Sequence, residues 1–199
     1  MDVFLETERL LLRRFTEFDV DNLAELDSDP EVMRYLNGGI PTPREVIERE
    51  VLPRFLHYYA IYDAYGFWAA IEKSTSQFVG WFCLHPEDDG DDRRLALGYR
   101  LRKAAWGKGY ATEGSKALIA KGFGELGARR IFATTYERNR RSWRVMEKAG
   151  MKLARTYRMT PQEVAAAGTF VSEPEQSWEG NDVEYAIDRE EWERGKRPC

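Results

Sequence analysis

A glycine-rich loop followed by an amphipathic segment, within residues 101–135, constrains the fold more than any other part of the chain. The loop reads Trp-Gly-Lys-Gly-Tyr-Ala at positions 106–111. Gly107 and Gly109 remove Cβ atoms that would block close approach of a ligand to the backbone. A helix start exposes unpaired N–H groups at the positive end of its dipole, so this arrangement predicts a phosphate or pyrophosphate site.

The segment after the loop has apolar and small residues at three- and four-residue spacing, which predicts a helix. Gly127 supplies its C-terminal stop, and a strand follows from Ile131. The positions on the apolar face are Ala111, Ser115, Leu118, Ile119, Gly122, Phe123 and Leu126. A strand, a loop, a helix and a second strand are therefore predicted in succession.

Two general phosphate-binding motifs fit the loop incompletely. A dinucleotide fingerprint needs glycine or alanine where the chain has Thr112, and a P-loop needs lysine before serine, whereas Ser115 precedes Lys116. A third interpretation is a Gly-X-Gly turn that only directs the chain into a helix. The residues of the loop alone leave these alternatives open.

Composition excludes several classes of protein. The chain has 199 residues, of which 43% are hydrophobic and 13% aromatic, values typical of a folded soluble protein with one domain over 1–199. Its formal net charge of −4 argues against general affinity for nucleic acid or anionic membranes. Cys83 and Cys199 make no disulfide framework, which indicates a reducing compartment. Because no apolar run approaches the roughly 20 residues that span a bilayer and the start is not basic, we expect a cytoplasmic protein.

The order of the predicted elements gives an α+β fold around a mixed central sheet. A first strand at 10–15 precedes helices that begin near Thr16, Asp29 and Thr42, with a kink expected at Pro53. Later elements are a hairpin at 67–84, strands at 94–101, 131–135, 152–159 and 182–187, and helices at 111–126, 142–149 and 190–195. An acidic turn at 87–92 is assigned to solubility, and residues 160–180 to a mobile loop with one short helix at 161–167.

Three separated motifs resemble the GCN5-related N-acetyltransferases (GNAT), in the branch that acetylates ribosomal-protein N-termini and various small amines. They are residues 6–14, the loop at 106–111, and Asn139-X-X-Ser142 followed by residues 147–151. The resemblance covers nearly the whole chain. It implies the acyl-CoA N-acyltransferase fold, with a central, mostly antiparallel twisted sheet flanked by helices.

The resemblance also implies the ligands: acetyl-CoA as co-substrate, no metal, and a primary amine as acceptor. One strand would pair with the pantetheine arm, and the loop would donate N–H groups to the pyrophosphate. Basic side chains nearby, including Lys103, Arg140 and Arg141, would counter the phosphate charges. The residues assigned to the coenzyme are Tyr99, Leu101, Arg102, Trp106, Gly107, Lys108, Gly109, Tyr110, Ala111, Thr112, Asn139 and Ser142.

The chain departs from the family pattern at three positions. Trp106 begins the loop where Arg or Gln is common, Met146 stands where many members have a catalytic tyrosine, and Ala96 stands where others have a glutamate base. Ser142 is the remaining candidate for protonating the thiolate leaving group. His85 and Glu137, both expected at strand ends, are other possible bases, although a structural or surface role is favoured for each.

These departures predict an acceptor that gives up its proton readily. We expect N-acetylation of a peptide or protein N-terminal α-amine, or of a small-molecule amine, by direct attack on the thioester. The aromatic residues Tyr58, Tyr59, Tyr62 and Tyr65 are assigned to core packing rather than to an acceptor pocket. Alternative functions are transfer from another donor, such as a longer acyl-CoA or an aminoacyl-tRNA, and non-catalytic sensing of acyl-CoA. A homodimer is the expectation from the family.

Overall fold

The strands that the structure describes form one sheet. The computed structural model describes residues 2–87, 93–158 and 180–196. In the part described, the strands are β1 (Val3–Glu6), β2 (Leu10–Arg14), β3 (Gly66–Glu72), β4 (Gln77–Pro86), β5 (Arg94–Leu101), β6 (Arg130–Tyr136), β7 (Lys152–Tyr157) and β8 (Asp182–Asp188). Their order across the sheet is β1-β2-β3-β4-β5-β6-β8-β7.

Neighbouring strands are antiparallel except at one junction. The strands β1 to β5 pair in sequence, each antiparallel to the next. β5 and β6 are parallel, and β8 lies antiparallel between β6 and β7. The predicted α+β class with a mixed, mostly antiparallel sheet is therefore confirmed.

Helices cover both faces of this sheet. They are α1 (Val20–Ser28), α2 (Pro30–Asn37), α3 (Arg44–Val46), α4 (Leu52–Ile61), α5 (Tyr110–Gly124), α6 (Arg140–Lys148) and α7 (Arg189–Lys196). One core cluster packs α5 and α6 on the sheet through residues such as Phe123 and Met146. A second cluster packs α1 and α4 on the other face through residues such as Leu23 and Phe55.

Strand β5 contributes side chains to both faces in alternation, as a strand period of two requires. Leu97 and Leu101 belong to the cluster under α5 and α6. Arg100 points to the opposite face, where its guanidinium contacts Asp27 of α1. β5 therefore lies between the two layers of helices and contacts both of them.

Local sequence signals set the helix boundaries of the first third. Thr16 and Asp19 form the predicted capping box, and Asp29 accepts a 2.8 Å hydrogen bond from the N–H of Glu31. The disturbance expected at Pro53 takes the form of a π-helical segment, Ile47–Val51, directly before α4. Proline donates no N–H, so the regular α-helical ladder cannot continue unchanged through this position.

The sequence did not predict β1, and some predicted features fall outside the described residues. β1 pairs with β2, and Phe4 stacks on Trp68 of β3 with ring centroids 3.9 Å apart. Phe4 and Trp68 are distant in sequence, and a strand of only four residues is too short to show a clear alternation of apolar and polar positions. Most of the predicted acidic turn (88–92), the predicted mobile loop (160–179) and the predicted helix (161–167) lie outside the described residues.

Candidate active site

The parallel strands β5 and β6 separate after a short paired stretch. They pair only from Arg94 to Ala96 on β5 and from Arg130 to Phe132 on β6. β5 nevertheless continues to Leu101, while the rest of β6 pairs with β8 on its other side. A cleft therefore opens between β5 and β6 beyond Ala96.

The backbone of β5 presents hydrogen-bonding groups to this cleft. Two backbone bonds fix the ends of the β4–β5 ladder, from Glu87 N to Arg94 O at 3.1 Å and from Arg102 N to Val79 O at 2.9 Å. Bonded pairs alternate along an antiparallel ladder, so the even-numbered residues of β5 bond to β4. The odd-numbered residues point their N–H and C=O groups to the cleft.

The predicted coenzyme residues Tyr99 and Leu101 both have this orientation, and so does Leu97, which the sequence interpretation missed. Leu101 differs from the other two because its carbonyl accepts a 2.8 Å hydrogen bond from Trp106 Nε1. The tryptophan at the unusual loop position thus binds the end of β5. Leu97 could have been predicted from the sequence, because alternate residues of a strand orient their backbone groups alike and Leu97 lies two residues before Tyr99.

The glycine loop connects β5 to α5 through a 3₁₀ turn, Lys103–Ala105. Gly107 and Gly109 have φ of 76° and 86°, a left-handed conformation that favours glycine. A Cβ at Gly107 would have no described atom within 4 Å. The loop therefore needs this glycine for its backbone conformation, and the space above it is open to a ligand.

The first turn of α5 supplies the N–H groups expected for a pyrophosphate. Gly109 is the N-cap, and the first α-helical bond runs from Glu113 N to Gly109 O at 3.0 Å. The amides of Tyr110, Ala111 and Thr112 precede it and have no intrahelical acceptor. These are the residues that the sequence assigned to the coenzyme, and they lie at the positive end of a 15-residue helix.

The basic residues on the β5 side of the loop are paired with acidic groups of the other helical layer. The Arg102 guanidinium donates to Glu25 of α1 at 2.9 Å, and the Lys103 ammonium lies 3.6 Å from Glu31 of α2. Contact of these two side chains with phosphates, predicted from the sequence, stays a prediction. Both side chains would first have to leave their partners.

Three other cations lie on the side of α5 and α6. Lys108 is exposed at the tip of the loop. The Arg140 guanidinium lies 3.9 Å from the ring centroid of Trp143, and that of Arg141 lies 4.8 Å from the centroid of Trp106. The stack of Arg141 on Trp106 joins the start of α6 to the glycine loop. The two coenzyme motifs recognised in the sequence are therefore in contact.

Asn139 and Ser142 lie at the start of α6, beside the cleft. Asn139 caps the helix by accepting a 3.3 Å bond from Ser142 N, and its amide donates to Thr135 Oγ1 at 3.0 Å. The Tyr99 hydroxyl lies 2.8 Å from Ser142 Oγ and donates to the Ser142 carbonyl at 3.2 Å. Burial raises the pKa of Tyr99 to about 12. Two hydroxyls from β5 and α6 thus meet across the cleft, and sequence reasoning did not assign the Tyr99 side chain this role.

The opposite face of the cleft lacks the glutamate that other family members have. Ala96 is small, and His85 of β4 is its direct partner in the sheet. His85 Nδ1 lies 2.8 Å from the carbonyl of Pro86, its ring packs on Phe67, and burial lowers its pKa below the usual 6.5. These contacts are those of a packed, neutral histidine.

Other candidates for chemistry are held in structural contacts. Met146 is buried and has no proton to donate. Glu137 accepts a 3.0 Å bond from the Asn181 side chain. Tyr59 bonds to the backbone of β3 and packs with the α1–α4 cluster, as expected for a core residue. The structure adds one aromatic pair that the sequence did not indicate, Tyr35 of α2 against Tyr136 of β6, with centroids 6.1 Å apart.

Comparison with known proteins places the chain in a family. A family model described as an acetyltransferase (GNAT) domain matches residues 9–152. The FsC-acetyl coenzyme A-N(2)-transacetylase of Aspergillus fumigatus is 29% identical over 201 residues, which cover 98% of this chain and 80% of that protein. The N-acetyltransferase p20 of Bacillus licheniformis, itself uncharacterised, is 33% identical over 135 residues, which cover 68% of this chain and 74% of that protein.

Solved structures share the fold. A GNAT-family acetyltransferase from Bacillus anthracis superposes with a TM-score of 0.72 at 26% identity, covering 96% of this chain and 99% of that one. The ribosomal L7/L12 α-N-protein acetyltransferase RimL, solved with coenzyme A, superposes with a TM-score of 0.74 at 16% identity. The superposition covers 94% of this chain and 98% of that one.

The fold and the matched domain define an acetyltransferase. The chain belongs to the GNAT acetyltransferase family, and it is an enzyme that transfers acetyl groups from acetyl-CoA. Within the described residues, no helix has the length and apolar character needed to cross a membrane.

Proposed function

We propose that the protein acetylates an α-amine, at a peptide or protein N-terminus or on a small molecule of similarly low pKa. The observation that carries this proposal is Ala96 of β5, which stands where the family resemblance places a glutamate base. His85, the direct partner of Ala96 in the sheet, stacks on Phe67 and holds the Pro86 carbonyl at 2.8 Å from its Nδ1. The acceptor is therefore expected to arrive neutral or to lose its proton to water.

The free-energy cost of deprotonation separates the two main types of amine. A lysine side chain with a pKa of about 10.4 costs roughly 4.6 kcal/mol to deprotonate at pH 7, whereas an α-amine with a pKa of about 7.7–8 costs about 1–1.4 kcal/mol. The difference of roughly 3 kcal/mol corresponds to more than a hundredfold in the population of neutral amine. An enzyme without a basic catalytic residue therefore gains most from an acceptor amine with the lower pKa.

Acetyl-CoA would be held along the open side of β5. The backbone of Leu97 and Tyr99 would pair with the amide groups of pantetheine. The loop from Trp106 to Gly109 and the first turn of α5 would bind the pyrophosphate through N–H groups, with Lys108 adding charge. Asn139 and Ser142 would contact the arm from α6.

The reaction is then a direct displacement. The neutral amine nitrogen attacks the thioester carbonyl, the C–N bond forms, the C–S bond breaks, the nitrogen loses one proton and the sulfur gains one. We assign protonation of the sulfur to Ser142, whose hydroxyl Tyr99 contacts at 2.8 Å. Because the pKa of Tyr99 is about 12, its phenol stays protonated at neutral pH and can replace the proton that Ser142 gives up.

Names of related proteins support acetyl transfer to nitrogen. One relative is named an N(2)-transacetylase that uses acetyl coenzyme A, and one structural neighbour an α-N-protein acetyltransferase. A cytoplasmic location and a homodimer stay predictions from the sequence and the family.

Matched peptides test the proposal. One peptide carries a free N-terminus and a blocked lysine, and the other carries a blocked N-terminus and a free lysine. We expect kcat/KM at pH 7 to favour the free N-terminus by roughly a hundredfold, with the ratio falling as the pH approaches 10. A preference for the lysine peptide at pH 7 would overturn the α-amine assignment.

Thiol release from acetyl-CoA across a panel of amines tests the acetyl transfer itself. Tight coenzyme binding with no thiol release for any amine would contradict the proposed reaction. Release with a longer acyl-CoA and none with acetyl-CoA would indicate a different donor.

A further inference from the structure

The N-terminal motif of the chain contacts the glycine loop, although about 100 residues separate them, as the separations of 99 and 104 residues between bonded pairs show. The motif lies in β1, β2 and the turn between them. Its Thr7 and Arg9 reach the glycine loop and the first turn of α5. The joint occurrence of these motifs in the sequence thus has a physical basis.

Arg9 touches consecutive parts of the loop. Its Nη1 donates to the Lys108 carbonyl at 2.8 Å, and its guanidinium lies 4.7 Å from the centroid of the Tyr110 ring. A Cβ built on Gly109 would meet Arg9 Nη2 at 3.4 Å. The guanidinium therefore lies directly against the backbone that turns into α5.

The same residues hold Glu113 in the first turn of α5. Arg9 Nε donates to Glu113 Oε2 at 2.7 Å, and the Arg9 backbone N–H donates to Oε1 at 2.9 Å. Thr7 Oγ1 donates to Oε1 at 2.6 Å. Burial would raise the pKa of Glu113, but the hydrogen bonds from Thr7 and Arg9 lower it overall, so the carboxylate is charged.

A charged carboxylate in this turn has an electrostatic consequence. The helix start is where a pyrophosphate is expected, and an uncompensated negative charge there would repel it. Arg9 neutralises Glu113 and also fixes the carbonyl of Lys108. Both effects favour a loop whose N–H groups point outward to the phosphates.

We propose that Thr7 and Arg9 are positioning residues that hold the glycine loop in its anion-binding conformation. This inference rests on the proposed coenzyme site. If Arg9 and Glu113 formed only a structural ion pair, its loss would affect stability alone, and only slightly. The reason is that 43% of the Arg9 side chain is exposed and exposed pairs contribute about 0–1 kcal/mol to stability. The proposed role predicts a large loss of coenzyme affinity with little loss of stability.

The substitution Arg9→Met tests the role with two acyl donors. Acetyl-CoA contains the pyrophosphate, and S-acetylpantetheine lacks it. We expect the KM for acetyl-CoA to rise about tenfold or more with kcat retained at saturation, while kcat/KM for S-acetylpantetheine stays unchanged. Equal changes for the two donors, or no change for acetyl-CoA, would overturn the proposal.

A matched control is available on the same sheet. Arg130→Met removes an ion pair in which Arg130 Nη1 donates to both Asp188 oxygens at 2.9 Å and 32% of the arginine side chain is exposed. Arg130 lies at the opposite end of the β5–β6 pairing from the loop. It should leave both donors unaffected. If Arg9→Met does not fold, the milder Thr7→Val and Arg9→Lys replace it, with a smaller selective rise in the KM for acetyl-CoA expected and no rise in either variant contradicting the role.

Binding measurements keep this inference separate from the proposed function. Calorimetric titration with coenzyme A needs no acceptor amine, so it tests Arg9 even if no turnover is found. The double variant Arg9→Met with Glu113→Gln should bind coenzyme A more tightly than Arg9→Met alone, because it leaves no uncompensated carboxylate at the start of α5. No recovery of affinity in the double variant would contradict the role of Arg9 in neutralising Glu113.

Discussion

Asp27→Asn offers a stringent test of how the two layers of the fold are joined. Asp27 Oδ2 of α1 lies 2.5 Å from Arg100 Nη1 of β5, and the two side chains are 1% and 6% exposed. Asparagine keeps the shape of aspartate and removes its charge, so a buried guanidinium loses its counterion. Breaking a buried pair in this way costs about 3–5 kcal/mol.

The assay is urea denaturation followed by tryptophan fluorescence. A lower midpoint with an unchanged slope is expected, since the loss is in stability and not in the area exposed on unfolding. Asp188→Asn is the control, because that carboxylate is 48% exposed and its loss should cost less than about 1 kcal/mol. A loss below about 1 kcal/mol for Asp27→Asn would refute the argument from burial.

Three further predictions follow from single sites. Ser142→Ala should lower kcat more than it raises the KM for acetyl-CoA, and Tyr99→Phe should lower kcat less; a change in KM alone would argue against proton transfer. Gly114→Ala should destabilise the protein by about 1–3 kcal/mol in thermal denaturation, because its Cβ would lie 2.3 Å from Phe82 Cζ in a packed core. Burial lowers the pKa of His85 in the folded protein below the usual 6.5, so its contribution to the free energy of unfolding is fully present above pH 6.5 and is lost as the pH falls below that value. His85→Gln should therefore lose less stability than the wild type on acidification, and equal losses would contradict this.

Local signals in the sequence were sufficient for most of the element boundaries. The Thr16–Asp19 capping box and the Asp29–Pro30 start depend on residues within four positions of each other, so they can be recognised without the fold. The loop at 106–111 and its helix are equally local. The conformation of the loop and the start of α5 were therefore predictable from local sequence, whereas coenzyme binding by these residues stays a prediction.

The remaining features depend on contacts between distant residues. Arg100 and its partner Asp27 are 73 residues apart in the sequence, and Arg9 and its partner Glu113 are 104 residues apart. No local pattern encodes such partners. The diversion of Arg102 to Glu25 of α1 likewise could not be anticipated.

In the proposed reaction a neutral amine attacks acetyl-CoA without a basic side chain of the protein, and the pH dependence of the rate shows whether this is so. The measurement is kcat/KM for a set of acceptor amines whose pKa values span about 7 to 10. We expect the acidic limb of each profile to move with the pKa of the acceptor. A limb that stays at one pH for every acceptor would reveal a base on the protein and contradict the proposed reaction.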